Sequence, residues 1–174
     1  PTHAFDASSM QNIVVTTPKE KFNFKTLDGV ERVIDEDTLM IWNGETPTGI
    51  AGIMGGLESE IVENTNAVVL ESANFDGVSI RKSSSRLGHR TDASARYEKM
   101  LDPELTKTAV GRFVKLVKDI DSGARVASKV TDEYVRKYPE ISLSFDKKYV
   151  DRYTGIDISD EQIVRTLTLL GFGV

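Results

Sequence analysis

The feature that most constrains this chain is a change of hydrophobic period partway along it. Between residues 105 and 120, Leu105, Ala109, Val110, Phe113, Val114, Val117 and Ile120 recur every three or four positions. That spacing places them on one face of an α-helix. Upstream of residue 71 no such period exists. Apolar residues there come in short β-branched or aromatic runs cut by glycine and proline, the pattern of strands and turns. A chain that reads as strands first and helices afterwards segregates the two rather than alternating them, so an α+β fold is expected, with helices packed on the sheets.

The strand candidates are the run Ile13-Val14-Val15 closed by Pro18, residues 39–42, residues 48–54 ending in Gly55-Gly56, and residues 67–70 leading into Glu71. Residues 22–27 and 30–34 flank Asp28-Gly29, which predicts a hairpin whose two turn residues both tolerate φ > 0. Asp102-Pro103-Glu104 predicts the start of the long helix, with Asp102 as N-cap and Pro103 at the first helical position; Gly123 is its expected stop. After Tyr138-Pro139, where a domain boundary is expected, Ile141, Leu143 and Phe145 alternate as a short strand. Ser159-Asp160-Glu161-Gln162 then forms a capping box for a helix with Ile163, Val164, Leu167 and Leu170 on its apolar face and Gly171 at its end. The chain begins without an initiator Met and stops at Val174, so both ends are expected to be cuts through a longer protein.

Composition narrows the function classes. Hydrophobic residues are 39 % and charged residues 28 % of 174, the balance of a globular protein with a real core. The net charge of −5 argues against wholesale coating of nucleic acid, although not against a local basic patch. There is no cysteine, hence no disulfide and no zinc–thiolate site. His3 and His89 are too far apart in sequence to form a metal-ligand spacing, and no metal site is expected. No apolar run is long enough to span a membrane, and a cytoplasmic protein with no membrane contact is the expectation.

Four features could carry chemistry. Gly52-Ile53-Met54-Gly55-Gly56 allows close backbone approach and exposed N–H donors, or is a plain tight turn. Glu71, at the end of an apolar run, is either a strand-end residue facing water or a pocket acceptor for a ligand hydroxyl. Residues 81–99 hold Arg81, Lys82, Arg86, Arg90, Arg96 and Lys99 against Asp92 and Glu98, a local positive excess suited to a phosphate backbone, or a solvated face with internal ion pairs. His3 is structural, or orients water or a carbonyl. No nucleophile-elbow or triad pattern frames any serine.

In order and spacing, Pro1-Thr2-His3-Ala4-Phe5-Asp6, Thr26-Leu27-Asp28-Gly29, Gly52-Ile53-Met54-Gly55-Gly56, Leu70-Glu71-Ser72-Ala73, Arg86-Leu87-Gly88-His89-Arg90-Thr91-Asp92-Ala93-Ser94, Arg96-Tyr97-Glu98-Lys99 and Leu101-Asp102-Pro103-Glu104 resemble the beta chain of bacterial phenylalanyl-tRNA synthetases. Beyond Pro139, Val150-Asp151-Arg152 with Gly155 and Leu169-Leu170-Gly171-Phe172 resemble the opening of the next domain there. Lys99-Met100 stands where that family commonly has Arg-Gly, which is expected to be a tolerated change at a helix boundary.

The resemblance implies an α+β tRNA-editing domain over residues 1–137 and the start of a winged-helix-like module over 138–174. It implies hydrolysis of tyrosine wrongly attached to tRNA(Phe), within an enzyme that joins phenylalanine to that tRNA using ATP and magnesium. ATP and magnesium are expected in the parent and no cofactor in this fragment, and the partners implied are the alpha chain, in an α2β2 tetramer, and tRNA(Phe). Matched residue by residue, His3, Gly55, Glu71, Thr91 and Ala93 fall on the editing site. Glu71 would accept the tyrosine hydroxyl, Gly55 would let the backbone approach the ring, Thr91 and Ala93 would shape the wall, and His3 would help place water. His3, Glu71 and Thr91 are the catalytic candidates; Arg81, Lys82, Arg86 and Arg90 are the tRNA-contact candidates. The resemblance also implies pocket residues upstream of Pro1, an Asn and a Thr. A non-catalytic tRNA-binding or scaffolding module of the same synthetase is the alternative, and an unrelated nucleic-acid-binding protein rests on the basic stretch alone.

Overall fold

The computed structural model describes residues 1–174 as two compact units, Pro1–Ser128 and Lys129–Val174. The first holds eight strands: β1 (His3–Asp6), β2 (Ile13–Thr16), β3 (Phe22–Lys25), β4 (Glu31–Ile34), β5 (Met40–Asn43), β6 (Thr46–Ile50), β7 (Met54–Gly55) and β8 (Val68–Glu71). Three helices follow: α1 (Gly77–Arg86), α2 (Asp92–Tyr97) and α3 (Leu105–Ile120). Every strand pair is antiparallel: a ribbon β1-β8, a sheet in the order β2-β5-β6-β7, and the hairpin β3-β4. A bridge between Thr26 and Gly56 links the hairpin to the end of β7. The mixed α and β composition with strands first agrees with the periodicity.

Phe5, Phe24, Ile34, Met40, Ile50, Ile53, Phe75, Ile80 and Tyr97 are among the buried core residues. They come from β1, the hairpin, the central sheet, α1 and α2, so this core binds the sheets to the first two helices. Asp76 caps α1 by accepting from Ser79 N at 2.7 Å. Gly77 opens that helix because a Cβ there would lie 2.9 Å from the Tyr97 carbonyl oxygen.

Several local expectations change. At the hairpin tip only Gly29 has positive φ (+76°). Asp28 instead spends its carboxylate locally, accepting from both terminal nitrogens of Arg32 and from Thr26 Oγ1 at 2.6 Å, which holds its pKa well below the usual carboxylate range. The turn is therefore held by side-chain bonds and one left-handed residue. Residues 48–54 are not one strand. The chain reverses at Gly52 (φ +66°), whose missing Cβ leaves room for Ile80, Phe75 and Tyr97 at 3.0–3.1 Å.

The long helix starts two residues later than Asp102 suggests. Asp102 accepts from Glu104 N, Pro103 lies in the preceding turn, and the Glu104 N-cap makes no side-chain bond. None of its apolar face is fully buried: Ala109, Val110, Phe113, Val114 and Val117 are half-buried, and Leu105 and Ile120 are exposed.

The second unit contains α4 (Lys147–Thr154) and α5 (Asp160–Leu169). Ile141, Leu143 and Phe145 form no strand; no partner strand receives their backbone groups, and all three side chains are exposed. Ser159 caps α5 by accepting from Gln162 N at 3.2 Å, one half of the expected box. Lys147 pairs with both Asp151 and Asp157. Val164, Leu169, Leu170 and Phe172 are exposed.

Candidate functional site

The ribbon β1-β8 creates the site. Its register sets His3 opposite Glu71, Ala4 opposite Leu70 and Phe5 opposite Val69. Directly opposed residues of an antiparallel pair project to the same face, with Cβ atoms about 5 Å apart. Two ionisable side chains separated by nearly the whole sheet region thus stand side by side. They open onto a cavity of about 70 Å³ lined also by Pro1, Thr2, Phe5, Ile50, Ile53, Met54, Gly55, Ala93 and Tyr97, with room for several waters.

Gly55 is the floor beneath the imidazole. A Cβ at this position would meet His3 Nε2 at 2.6 Å, His3 Cε1 at 2.7 Å and Leu27 Cδ1 at 3.0 Å. Any side chain there displaces the histidine. His3 also packs edge-on against Phe5, ring centroids 4.4 Å apart. Burial lowers its pKa, which favours a neutral imidazole able to accept a proton or order a water.

The Glu71 carboxyl makes no hydrogen bond within the chain. Burial pushes it up to about 7, and the only opposing influence is the Pro1 ammonium. A desolvated carboxyl with free lone pairs, facing a cavity, is poised for a hydroxyl donor. Its charge is also felt by the Tyr97 phenol, whose pKa is raised first by burial and then by Glu71.

Ala93, near the start of α2, lines the cavity, but Thr91 is not among the lining residues. The Thr91 hydroxyl donates to the Ile53 carbonyl at 2.8 Å and accepts from Ser94 N at 3.1 Å, the latter as half of a capping box with Ser94. Its proton is committed, so Thr91 acts on the cavity from behind, by holding the Gly52-Ile53 turn. No serine lines the cavity. Sequence reasoning quoted Ile53 and Tyr97 inside motifs but assigned neither to the site; that motif membership was the only signal for either.

The basic stretch divides. Arg86 pairs with Asp35 at 2.9 Å, and Arg90 with Glu98 at 2.6 Å. Arg81 and Lys82 on α1 are exposed and carry no ion pair. No three His, Cys, Asp or Glu side chains come together as a metal site, and no helix is long and apolar enough to cross a membrane.

A family model described as the B3/4 domain matches residues 1–122. The chain is 42 % identical over 172 residues to the phenylalanine–tRNA ligase beta subunit of Clostridium tetani, covering 98 % of this chain and 22 % of that protein. It is 38 % identical over 176 residues to the same subunit of Geobacter metallireducens, covering 100 % and 22 %. For Halalkalibacterium halodurans the identity is 37 % over 175 residues, covering 99 % and 21 %. The chain spans about a fifth of the length of these curated relatives.

Proposed function

The chain belongs to the B3/4 domain family, and on that premise we propose that it is the part of a phenylalanine–tRNA ligase beta subunit that hydrolyses tyrosine esterified to tRNA(Phe). The observation that carries this reading is Glu71: a half-buried, desolvated carboxyl without a hydrogen-bond partner, on the wall of the cavity that His3, Gly55 and Ala93 also line.

Such an activity has a physical purpose. Tyrosine exceeds phenylalanine by one hydroxyl, and an apolar synthetic pocket rejects an added hydroxyl by only about a hundredfold. A second site that rewards the hydroxyl multiplies the discrimination. Here Glu71 accepts a hydrogen bond from the phenol hydroxyl, Gly55 and Ala93 leave space for the ring, and Thr91 positions the Ile53 turn. Water is the nucleophile. Its oxygen bonds to the ester carbonyl carbon, the bond to the ribose oxygen breaks, and the proton given up by the water is carried to that ribose oxygen. The neutral His3 imidazole orders the water and takes its proton in passing.

The register favours a second role for His3. It stands directly opposite Glu71, so it meets the same end of the ring that Glu71 meets. In that role it recognises the hydroxyl rather than activating water. His3→Ala separates the two: lost water activation lowers kcat, whereas lost recognition raises KM as Glu71→Ala does.

The complete subunit would act with the alpha chain, in an α2β2 tetramer, on tRNA(Phe) in the cytoplasm, with Arg81 and Lys82 free to meet phosphates. Residues 1–137 would be the editing domain and residues 138–174 the opening of a winged-helix-like module. ATP and magnesium would be used by the complete ligase; within this chain, Gly52-Ile53-Met54-Gly55-Gly56 lacks phosphate-loop spacing.

The test is deacylation of preformed tyrosyl-tRNA(Phe) by the assembled ligase carrying this chain. A charge-assisted bond to the hydroxyl contributes about 1.5–3 kcal/mol. Glu71→Ala should therefore slow deacylation by about 10- to 100-fold and leave phenylalanine charging unchanged. Undiminished deacylation by the variant would remove Glu71 from the function. A non-catalytic tRNA-binding module would show no deacylation in the wild type either.

A further inference from the structure

Tyr97 is the last residue of α2 and almost fully buried, and it lines the same cavity as His3 and Glu71. Its ring packs edge-on against Phe75, centroids 5.1 Å apart, and fills the space that Gly52 leaves by lacking a Cβ. Its hydroxyl lies 3.2 Å from the Pro1 carbonyl oxygen and 3.2 Å from the Ala73 carbonyl oxygen.

Those two carbonyls are not arbitrary. The ribbon register pairs His3 with Glu71; continued outward by two residues, it sets Pro1 opposite Ala73. The hydroxyl therefore sits just beyond the His3–Glu71 pair, the last pair of the ribbon ladder on that side. A part-buried carbonyl left without a donor there would draw in water. The single phenol proton, equidistant from the two carbonyls, is shared between the strands as a bifurcated bond immediately beside the His3–Glu71 pair.

We propose that Tyr97 is a positioning residue for the site: its hydroxyl clamps the ends of β1 and β8 together, fixes the separation of His3 and Glu71, and keeps water away from the Glu71 carboxyl. This rests on the hydrolytic reading only for what the clamp does to turnover. The clamp itself is a property of the fold. The raised proton affinity of Glu71 agrees with a dry ribbon end.

Tyr97→Phe deletes the hydroxyl and keeps the ring, so the core packing survives. In the assembled ligase, Tyr97→Phe should lower kcat/KM for tyrosyl-tRNA(Phe) by about tenfold through KM, one hydroxyl contact being misplaced. Hydrolysis of phenylalanyl-tRNA(Phe), which needs no hydroxyl recognition, should change less than twofold, so selectivity between the two esters collapses. A general loss of stability would lower both alike.

Two measurements on the chain itself do not depend on activity. The Glu71 carboxyl titration, followed by carbon NMR, should move from near 7 toward the ordinary glutamate range in Tyr97→Phe. In the wild type the Tyr97 hydroxyl proton should exchange slowly enough to be seen, and this second measurement stands even if the variant fails to fold. Ser59→Ala is the matched control, because the Ser59 hydroxyl also bonds two carbonyls, those of Thr48 and Gly56, outside the cavity lining; it should leave the Glu71 midpoint in place. Unchanged selectivity with an unchanged Glu71 midpoint overturns the clamp, as does a freely exchanging Tyr97 hydroxyl. If the wild type hydrolyses neither ester, the proposed function falls, and the two NMR measurements alone decide the clamp.

Discussion

Replacing Glu71 by glutamine should make this protein more stable at neutral pH while impairing its site. The substitution keeps the shape and removes the charge. Burial raises the folded-state pKa from the ordinary value of 4.5 to about 7. That gap of about 2.5 powers of ten in proton affinity, at ~1.4 kcal/mol each, corresponds to about 3 kcal/mol. Its sign follows from proton counting. Between pH 4.5 and 7 the folded chain keeps a proton that the unfolded chain releases, so the Glu71 contribution to stability falls as pH rises through that window. Below pH 4.5 the carboxyl is neutral in both states and costs nothing extra. Above pH 7 the full cost is present. Glutamine has no proton to release, so the variant should match the wild type near pH 4 and exceed it by about 3 kcal/mol at pH 8. For a chain of this size that is roughly 6–12 °C in Tm. The assay is denaturant unfolding of both proteins at several pH values from 4 to 8.5. Parallel stability curves, or a variant less stable than the wild type at pH 8, would refute the placement of Glu71 as a desolvated, unpartnered acid. A more stable variant that no longer distinguishes tyrosyl from phenylalanyl esters would show stability exchanged for recognition at one side chain.

Gly55→Ala should displace the His3 ring, because its Cβ would lie 2.6 Å from Nε2; deacylation of tyrosyl-tRNA(Phe) should fall, with about 1–3 kcal/mol of stability lost to overpacking in a denaturant titration. Met100 is the one non-glycine residue with a left-handed backbone, φ +58°, and its side chain is 70 % exposed. Met100→Gly should therefore raise stability by about 1 kcal/mol, read as a Tm gain of about 2–4 °C, and an unchanged Tm would show that the strain is absent. Arg81→Ala with Lys82→Ala should weaken tRNA binding and reduce the slope of log K against log salt by about 1–2. Arg86→Ala, which breaks the pair with Asp35, should instead lower stability by about 1 kcal/mol or less and leave the salt slope near its wild-type value.

Local chemistry was legible in the order of residues. The β-branched run at 13–15, the pair of runs around Asp28-Gly29, the helical period after residue 105 and the cap at Ser159 each depend on neighbours a few positions away, and each appears in the structure. The motif series, read as a whole, also marked His3, Gly55, Glu71 and Ala93, which the fold gathers around one cavity. What local pattern could not settle were choices that depend on a distant partner. Ile141, Leu143 and Phe145 alternate like a strand, but alternation makes a strand only where another strand supplies the hydrogen bonds. Residues 48–54 looked continuous because nothing nearby reveals that Ile80, Phe75 and Tyr97 must fit against Gly52. Arg86 and Arg90 looked available for phosphate until Asp35 and Glu98 were brought beside them. Thr91 looked like a pocket wall until the Ile53 carbonyl took its proton. Above all, the register of β1 against β8 joins residue 3 to residue 71, and the Tyr97 hydroxyl closes that ribbon from a helix further along. Spacing along the chain determines which groups exist and which local elements they favour. Desolvation, pairing and register are properties of groups remote in sequence, and only the packed tertiary structure decided them.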